Sequence, residues 1–296
     1  MTTKLPTGLL DALESGRCIP VLGHQTLDGI TSADGKAIPA DSDSLILAMN
    51  NGRPMAPKLM YEFPRAAMNI ELKKGRKAVT RFLDTTYRDT VWSESSFHQQ
   101  LAAQGFAYII DMNRDTQLQL AWSKQPHLLV VGIARMAGEL ARYRLFQHDG
   151  SSYQPVTDET VDTQLPVLFK PVGTPLPESL YIASDADYVD YLTELMGGFG
   201  MPPFLKQYRM GCQYLLLGLK LDRDTPRMLI NDITYGAGNP AGWACVQNPT
   251  ANEEKFLKRK GFELLDLNHQ DCLAQILGAT LLAGKNRTPP SPENQP

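Results

Sequence analysis

The chain has 296 residues, 43% of them hydrophobic, enough to bury one large core or two small ones. Its 29 Lys and Arg stand against 32 Asp and Glu, a net charge of −3, so no excess of positive charge points to a nucleic-acid partner. No apolar run approaches the ~20 residues of a spanning helix, and the start, Met1 to Pro6, has no apolar core of signal-peptide length.

A soluble, cytoplasmic protein with no membrane contact is therefore expected. Cys18, Cys212, Cys245 and Cys272 are widely spaced with no Cys-x-x-Cys, which fits neither a zinc module nor a dense disulfide framework. Reduced, buried thiols and no metal site are expected. Lys73, Lys74, Arg76, Lys77 and Arg81 form a basic run that reads as a solvated helix face.

In chain order, Leu9, Leu10 and Leu13 make an apolar helical face behind Thr7, with Gly16 as its stop. Cys18–Leu22 reads as a buried strand whose exit is the small, polar loop Gly23 to Gly29. Helices are predicted at Ser44–Met49, Pro64–Lys74, Lys77–Tyr87 and Ser96–Gln104, with Gly75 as a break. Strands follow at Ala107 and over His127–Ile133, separated by a helix near Thr116–Ser123. Tyr143–Gln147 and Tyr153–Val156 form a hairpin across Asp149-Gly150. Pro166–Phe169 and Leu180–Ala183 are short strands, and Ser184 with Asp187 forms a capping box for a helix through Leu195. Beyond it come a strand at Tyr214–Leu217, a helix near Thr225–Asn231 and a strand at Trp243–Val246. A helix over Ala251–Lys260, a strand at Phe262–Leu265 and a helix at His269–Leu282 complete the series. The tail 284–296, rich in Pro, Asn and Ser, is expected to be disordered.

Alternation of strand and helix predicts an α/β protein, Rossmann-like, with a mostly parallel sheet and helices on both faces. No internal linker splits residues 1–283, so one domain is expected, with a helical insertion at about 41–104. The apolar run Phe106 to Ile110, after Gly105, empties into Asn113-Arg114-Asp115 where a parallel strand ends. In open α/β sheets ligands bind at that edge. Asn113 and Asp115 there suit recognition of a ribose and a carboxamide, or they turn the chain and cap the next helix.

Four strand exits, at Gly23, Asn113, Gly173 and Gly218, stand in order with their flanks. Ile19-Pro20-Val21-Leu22-Gly23 stands where the sirtuin-like NAD-binding domain has a strand and Gly-Ala-Gly-Val-Ser. Ile110-Asp111-Met112-Asn113-Arg114-Asp115 matches its Thr-Thr-Asn-Tyr-Asp, and Lys170-Pro171-Val172-Gly173 its Lys-Leu-His-Gly. Ile182 to Tyr188 is similar to Ile-Thr-x-x-Asp-Tyr, and Leu216 to Asp222 to Gly-Tyr-Ser-Leu-x-Asp. Glu253 to Gly261 resembles the C-terminal helix-strand unit. Over roughly residues 5 to 280 the chain thus resembles that family, in particular the bacterial branch that hydrolyses NAD in phage defence.

The resemblance implies NAD or ADP-ribose as ligand, with Gly23, His24, Gln25, Thr26, Asn113, Asp115, Gly173, Gly218 and Lys220 around it. Asn113 and Asp115 are the implied catalytic pair. In the family a glycine-rich loop lets backbone N–H groups approach the pyrophosphate. Here Gln25 and Leu27 replace a glycine and a serine, and Val172 replaces a histidine that handles ribose hydroxyls or water. Valine moves no proton. His24 is either a substitute base or a solvent-facing loop residue, and Lys220 either a phosphate contact or a surface lysine. Asp222 and Asp224 either bind ribose hydroxyls or cap the helix at Thr225. His148 has a weaker claim, while His98, His127 and His269 fit packing or capping roles.

Three functions follow: a nucleotide-binding protein with weak or absent NAD hydrolysis, an active NAD glycohydrolase using Asn113 and Asp115, or an interaction scaffold. Partners left open are the nucleotide, a protein partner or a second copy of the chain.

Overall fold

The computed structural model describes residues 4–138 and 140–283, with side chains as far as residue 279. The tail expected at 284–296 lies outside the described residues. In chain order the elements are α1 (Thr7–Glu14), β1 (Cys18–Leu22), α2 (Ser42–Met49), α3 (Phe63–Lys74), α4 (Arg76–Asp84), α5 (Ser96–Ala102), β2 (Tyr108–Asp111) and α6 (Gln117–Ala121). There follow β3 (His127–Gly132), β4 (Tyr143–His148), β5 (Tyr153–Val156), β6 (Val167–Lys170), β7 (Gly173–Thr174), β8 (Leu180–Tyr181), α7 (Asp185–Met196) and α8 (Pro203–Tyr208). The chain closes with β9 (Gln213–Leu217), α9 (Asp224–Ile233), β10 (Gly242–Cys245), α10 (Ala251–Arg259), β11 (Phe262–Leu265) and α11 (His269–Ala283).

Nine strands form one sheet in the order β11-β10-β9-β1-β2-β6-β3-β4-β5. From β11 to β3 every neighbouring pair is parallel. The hairpin β4–β5 adds two antiparallel pairings at one edge, with Phe146 opposite Pro155. The sheet is thus α/β and mostly parallel, as the alternation of elements predicts. β1 lies between β2 and β9, so the chain leaves β1 to build one half of the sheet and returns beside it to build the other. Such a reversal opens a crevice at the carboxyl ends of the strands.

A strand covered on both faces reads as a near-continuous apolar run, and β1, β2, β3 and β6 are buried throughout, with Asp111, His127 and Lys170 as polar residues at strand ends. Pro20 is tolerated inside β1 because pairing with β2 begins only at Val21. Alternate side chains feed two cores. Ile19 and Val21 meet Tyr191, Leu192, Leu229, Ile230 and Leu257 from α7, α9 and α10. Cys18 and Leu22 meet Leu9, Leu13, Leu101, Leu118 and Leu273 from α1, α5, α6 and α11. Helices therefore lie on both faces.

A third, smaller core holds Leu45, Ile46, Phe63, Ala66, Val79 and Leu83 of α2, α3 and α4, with Leu27 and Tyr181. This helical insertion covers the carboxyl edge beside β1. α5 contributes Phe97 and Leu101 to the sheet-facing core instead. α4 gives way to a π-helical turn at Thr85–Asp89 that carries Tyr87. No helix among the described residues is long and apolar enough to cross a membrane. All four cysteines are free and buried.

Candidate functional site

The loop after β1 turns at once into a 3-10 segment, His24–Leu27. Gly23 sits against the exit of β9: a Cβ there would lie 2.5 Å from the Gly218 carbonyl oxygen and from Leu219 Cα. Gly218, at φ 64°, would in turn drive a Cβ to 2.9 Å from the Thr26 backbone nitrogen. Both glycines exist so that the two exits can touch. The Gly23 N–H donates to the Leu217 carbonyl at 2.9 Å, the Gln25 N–H to that of Gly218 at 3.0 Å, and the Thr26 N–H to that of Gly23 at 3.0 Å. The donors that a phosphate cradle would present are bonded to the protein's own backbone.

From β2 the buried Asn113 reaches across the same loop. Its Nδ2 donates to the Gly23 carbonyl at 3.1 Å and to Thr26 Oγ1 at 3.3 Å, while its own N–H donates to Asp111 Oδ1 at 3.0 Å. Thr26 Oγ1 donates to the Gly23 carbonyl at 2.7 Å, so Thr26 holds the turn from inside.

A cavity of about 110 Å³ opens where these exits meet the insertion. Its walls include Gly23, His24, Asn113, Val172 and Lys220 from the sheet edge, with Asp41, Glu62, Phe63 and Tyr87 from the insertion. Burial holds the His24 imidazole below its ordinary range against the pull of Asp41 and Asp28. The Asp41 carboxyl is pushed up by burial, but bonds from Ser44 outweigh this and leave it below the usual range. Glu62 Oε1 accepts the Thr225 N–H at 3.0 Å at the start of α9.

Behind a wall shared through Leu219 and Lys220 lies a second cavity of about 330 Å³, at the ends of β10 and β11. Gln25 lines this one, with Asp28, Asn248, Glu253, Asn268 and His269, and not the first. Leu27 is buried in the small core of the insertion. Neither Gln25 nor Leu27, which replace the family's glycine and serine, lines the first cavity.

Two of the expected residues, Asp115 and Gly173, face elsewhere. Asp115 is buried outside the cavity wall: its Oδ1 accepts the Gln117 N–H at 2.7 Å, and its Oδ2 has no hydrogen-bond partner. Lys170 Nζ, equally buried, lies 2.6 Å from Asp111 Oδ2, 2.8 Å from the Asp115 carbonyl and 3.9 Å from Asp115 Oδ2. Burial pushes the Asp111 carboxyl up to about 6 against the opposing pull of the Lys170 ammonium. Gly173 lies in β7, paired with Tyr181, where a Cβ would strike the Leu180 carbonyl. Thr26 and Gly218 support the cavity from behind. Asn113 and Asp115 thus share a loop but serve different neighbourhoods.

Arg114, the residue between them, carries no sequence motif of its own. The residue is 8% exposed and lines the cavity, with its guanidinium carbon 5.3 Å from the centre of the Phe63 ring. Nη2 donates to the Ile182 carbonyl at 2.5 Å and to the Tyr188 hydroxyl at 3.1 Å. Nε is buried without a partner. The only advance signal was an arginine inserted between two short polar residues at the end of an apolar strand.

Fold and site define a Rossmann-like α/β protein with a covered crevice at the reversal point of its sheet. No protein-family model matches the chain, and no curated protein matches it.

Proposed function

We propose that the chain binds an adenine dinucleotide ligand, NAD or ADP-ribose, in a sirtuin-like cleft, with weak or absent hydrolysis. The observation that carries this reading is the meeting of the β1, β2 and β9 exits at one cavity, with a second, polar cavity starting at the shared wall of Leu219 and Lys220. Two compartments joined at a lysine match a ligand of two units joined by a pyrophosphate. At about 110 Å³ the first compartment is below the ~300–1,000 Å³ usual for small-molecule sites, so binding moves the insertion outward from the sheet edge.

Cleaving the nicotinamide–ribose bond passes through an oxocarbenium-like state that needs a nearby anion and a group to handle water. Val172 supplies neither, and Asp115 stands beside Lys170 outside the cavity. His24, kept neutral at pH 7 by burial, is left as the proton acceptor at the wall. Loss of a well-placed base typically forfeits ~10²–10⁴-fold in rate, which supports binding over turnover. A scaffold without ligand is favoured by one observation, the internal bonding of the Gly23, Gln25 and Thr26 N–H groups.

Calorimetric titration with NAD and ADP-ribose separates the two. Binding of either in the micromolar to low millimolar range supports the proposal, and Asn113→Ala should then weaken it about fivefold or more. No heat from either ligand at millimolar concentration leaves the scaffold. Release of free nicotinamide at an ordinary enzymatic rate would refute weak or absent hydrolysis.

A further inference from the structure

We propose that Arg114 is the receptor for an oxyanion, the phosphate group of a ligand, in the cavity under the helical insertion. A buried guanidinium is costly unless an anion balances it. Among the described residues no Asp or Glu oxygen lies within ion-pair distance of Arg114, and its Nε–H has no acceptor. The Phe63 ring, the Ile182 carbonyl and the Tyr188 hydroxyl fix the plane of the guanidinium. A fixed fork with an unused donor, on a side chain that lines the cavity, is suited to an oxyanion.

Three helix starts also face the space. α2, α3 and α9, of 8, 12 and 10 residues, all begin at this cavity, through Asp41 and Ser42, Phe63 and Pro64, and Thr225 and Pro226. Each brings the positive end of its dipole. The other ionisable groups facing the space are His24, Asp41, Glu62, Tyr87, Tyr188 and Lys220. Asp41 accepts from Ser44, and Glu62 from Thr225, so both carboxylates are bonded to helix starts and not to the arginine. Lys220 adds a second cation at the mouth. The volume, about 110 Å³, is below the ~300–1,000 Å³ usual for whole small-molecule ligands and suits a single small group better than a dinucleotide.

This inference deepens the nucleotide reading by naming the part of the ligand that enters the cavity. It is tested with inorganic phosphate, so the two can fail separately. The full chain, labelled with ¹⁵N-arginine, is titrated with phosphate against chloride at matched ionic strength, following the Nε–H resonance that disappears in Arg114→Lys. The expected result is a saturable, phosphate-specific shift, with affinity about 10- to 100-fold weaker in Arg114→Gln. Absence of a phosphate-specific shift in the wild type, or unchanged affinity in Arg114→Gln, overturns the proposal. If Arg114→Gln does not fold, the wild-type titration decides alone. Phosphate binding without NAD or ADP-ribose binding sinks only the nucleotide reading. Nucleotide binding with a silent Arg114 resonance sinks only this one.

Discussion

Replacing Lys170 by Met removes the one cation between two buried carboxylates. Lys170 is 1% exposed, Asp111 0% and Asp115 2%. Breaking a buried pair from one side costs roughly 3–5 kcal/mol, because the remaining charge is left uncompensated. Against a total stability of about 5–15 kcal/mol this is a large fraction. The loss should also depend on pH. Asp111 already has its folded pKa raised to about 6, and removing the ammonium raises it further above the unfolded value of about 3.9. A carboxyl with a raised folded pKa loses stability as pH climbs from the unfolded value to the folded one, by about 1.4 kcal/mol per unit. The Lys170→Met deficit is therefore larger at pH 8 than at pH 5, and Asp111→Asn in the same chain should recover part of it. Urea unfolding followed by fluorescence of the buried Trp122 and Trp243 measures both. A deficit below about 1 kcal/mol at pH 8, or one equal at both pH values, would refute the reasoning.

His127 offers a test of opposite sign. Burial holds its imidazole down to about 4, with Nδ1 bonded to the Gln125 carbonyl and Nε2 to the Tyr153 hydroxyl, both at 2.7 Å. The unfolded chain takes up its proton near pH 6.5, so stability falls as pH drops from 6.5 towards 4. His127→Gln should flatten that fall by about 1.4 kcal/mol per unit, and parallel stability curves for the two proteins would exclude it. Gly23→Ala forces a methyl against the Gly218 carbonyl and should cost about 1–3 kcal/mol of stability. Thermal unfolding reads this directly, and an unchanged midpoint would mean that the two exits separate freely.

Periodicity and burial made the sheet legible. β1 and β11 carry the bounds read from the sequence; β1 is a wholly apolar run between turn residues, which has few alternatives, and β11 is a short, mostly apolar stretch bounded by Gly261. Ser184 and Asp187 announced α7, and the Ala183 and Ser184 N–H groups do donate to Asp187 Oδ2, at 3.0 and 3.1 Å. β7 is two residues long and has no pattern to detect, while the Pro202-Pro203 pair that starts α8 reads as loop until Pro203 is placed in the first turn. At the cavity, the placing of Gly23, Asn113 and Lys220 on one wall was legible because strand exits are local features. The turning of Asp115 towards Lys170 was not, because it depends on a strand 55 residues away. Arg114 was hidden by its neighbours: as the middle of Asn-x-Asp it looked like a spacer.

At the far end of the sheet, Pro155 has a consequence for how the molecule behaves in a crowd. Asp149 and Ser152 form a hydrogen-bonded pair at the mouth of the β4–β5 hairpin. Antiparallel pairs alternate, so Phe146 and Pro155, three steps further along, fall in a non-bonded pair and the proline nitrogen faces outward. The internal ladder loses nothing, yet any strand arriving from another molecule finds a missing donor in the middle of a four-residue edge. A single ring thus makes that side a poorer template for sheet extension.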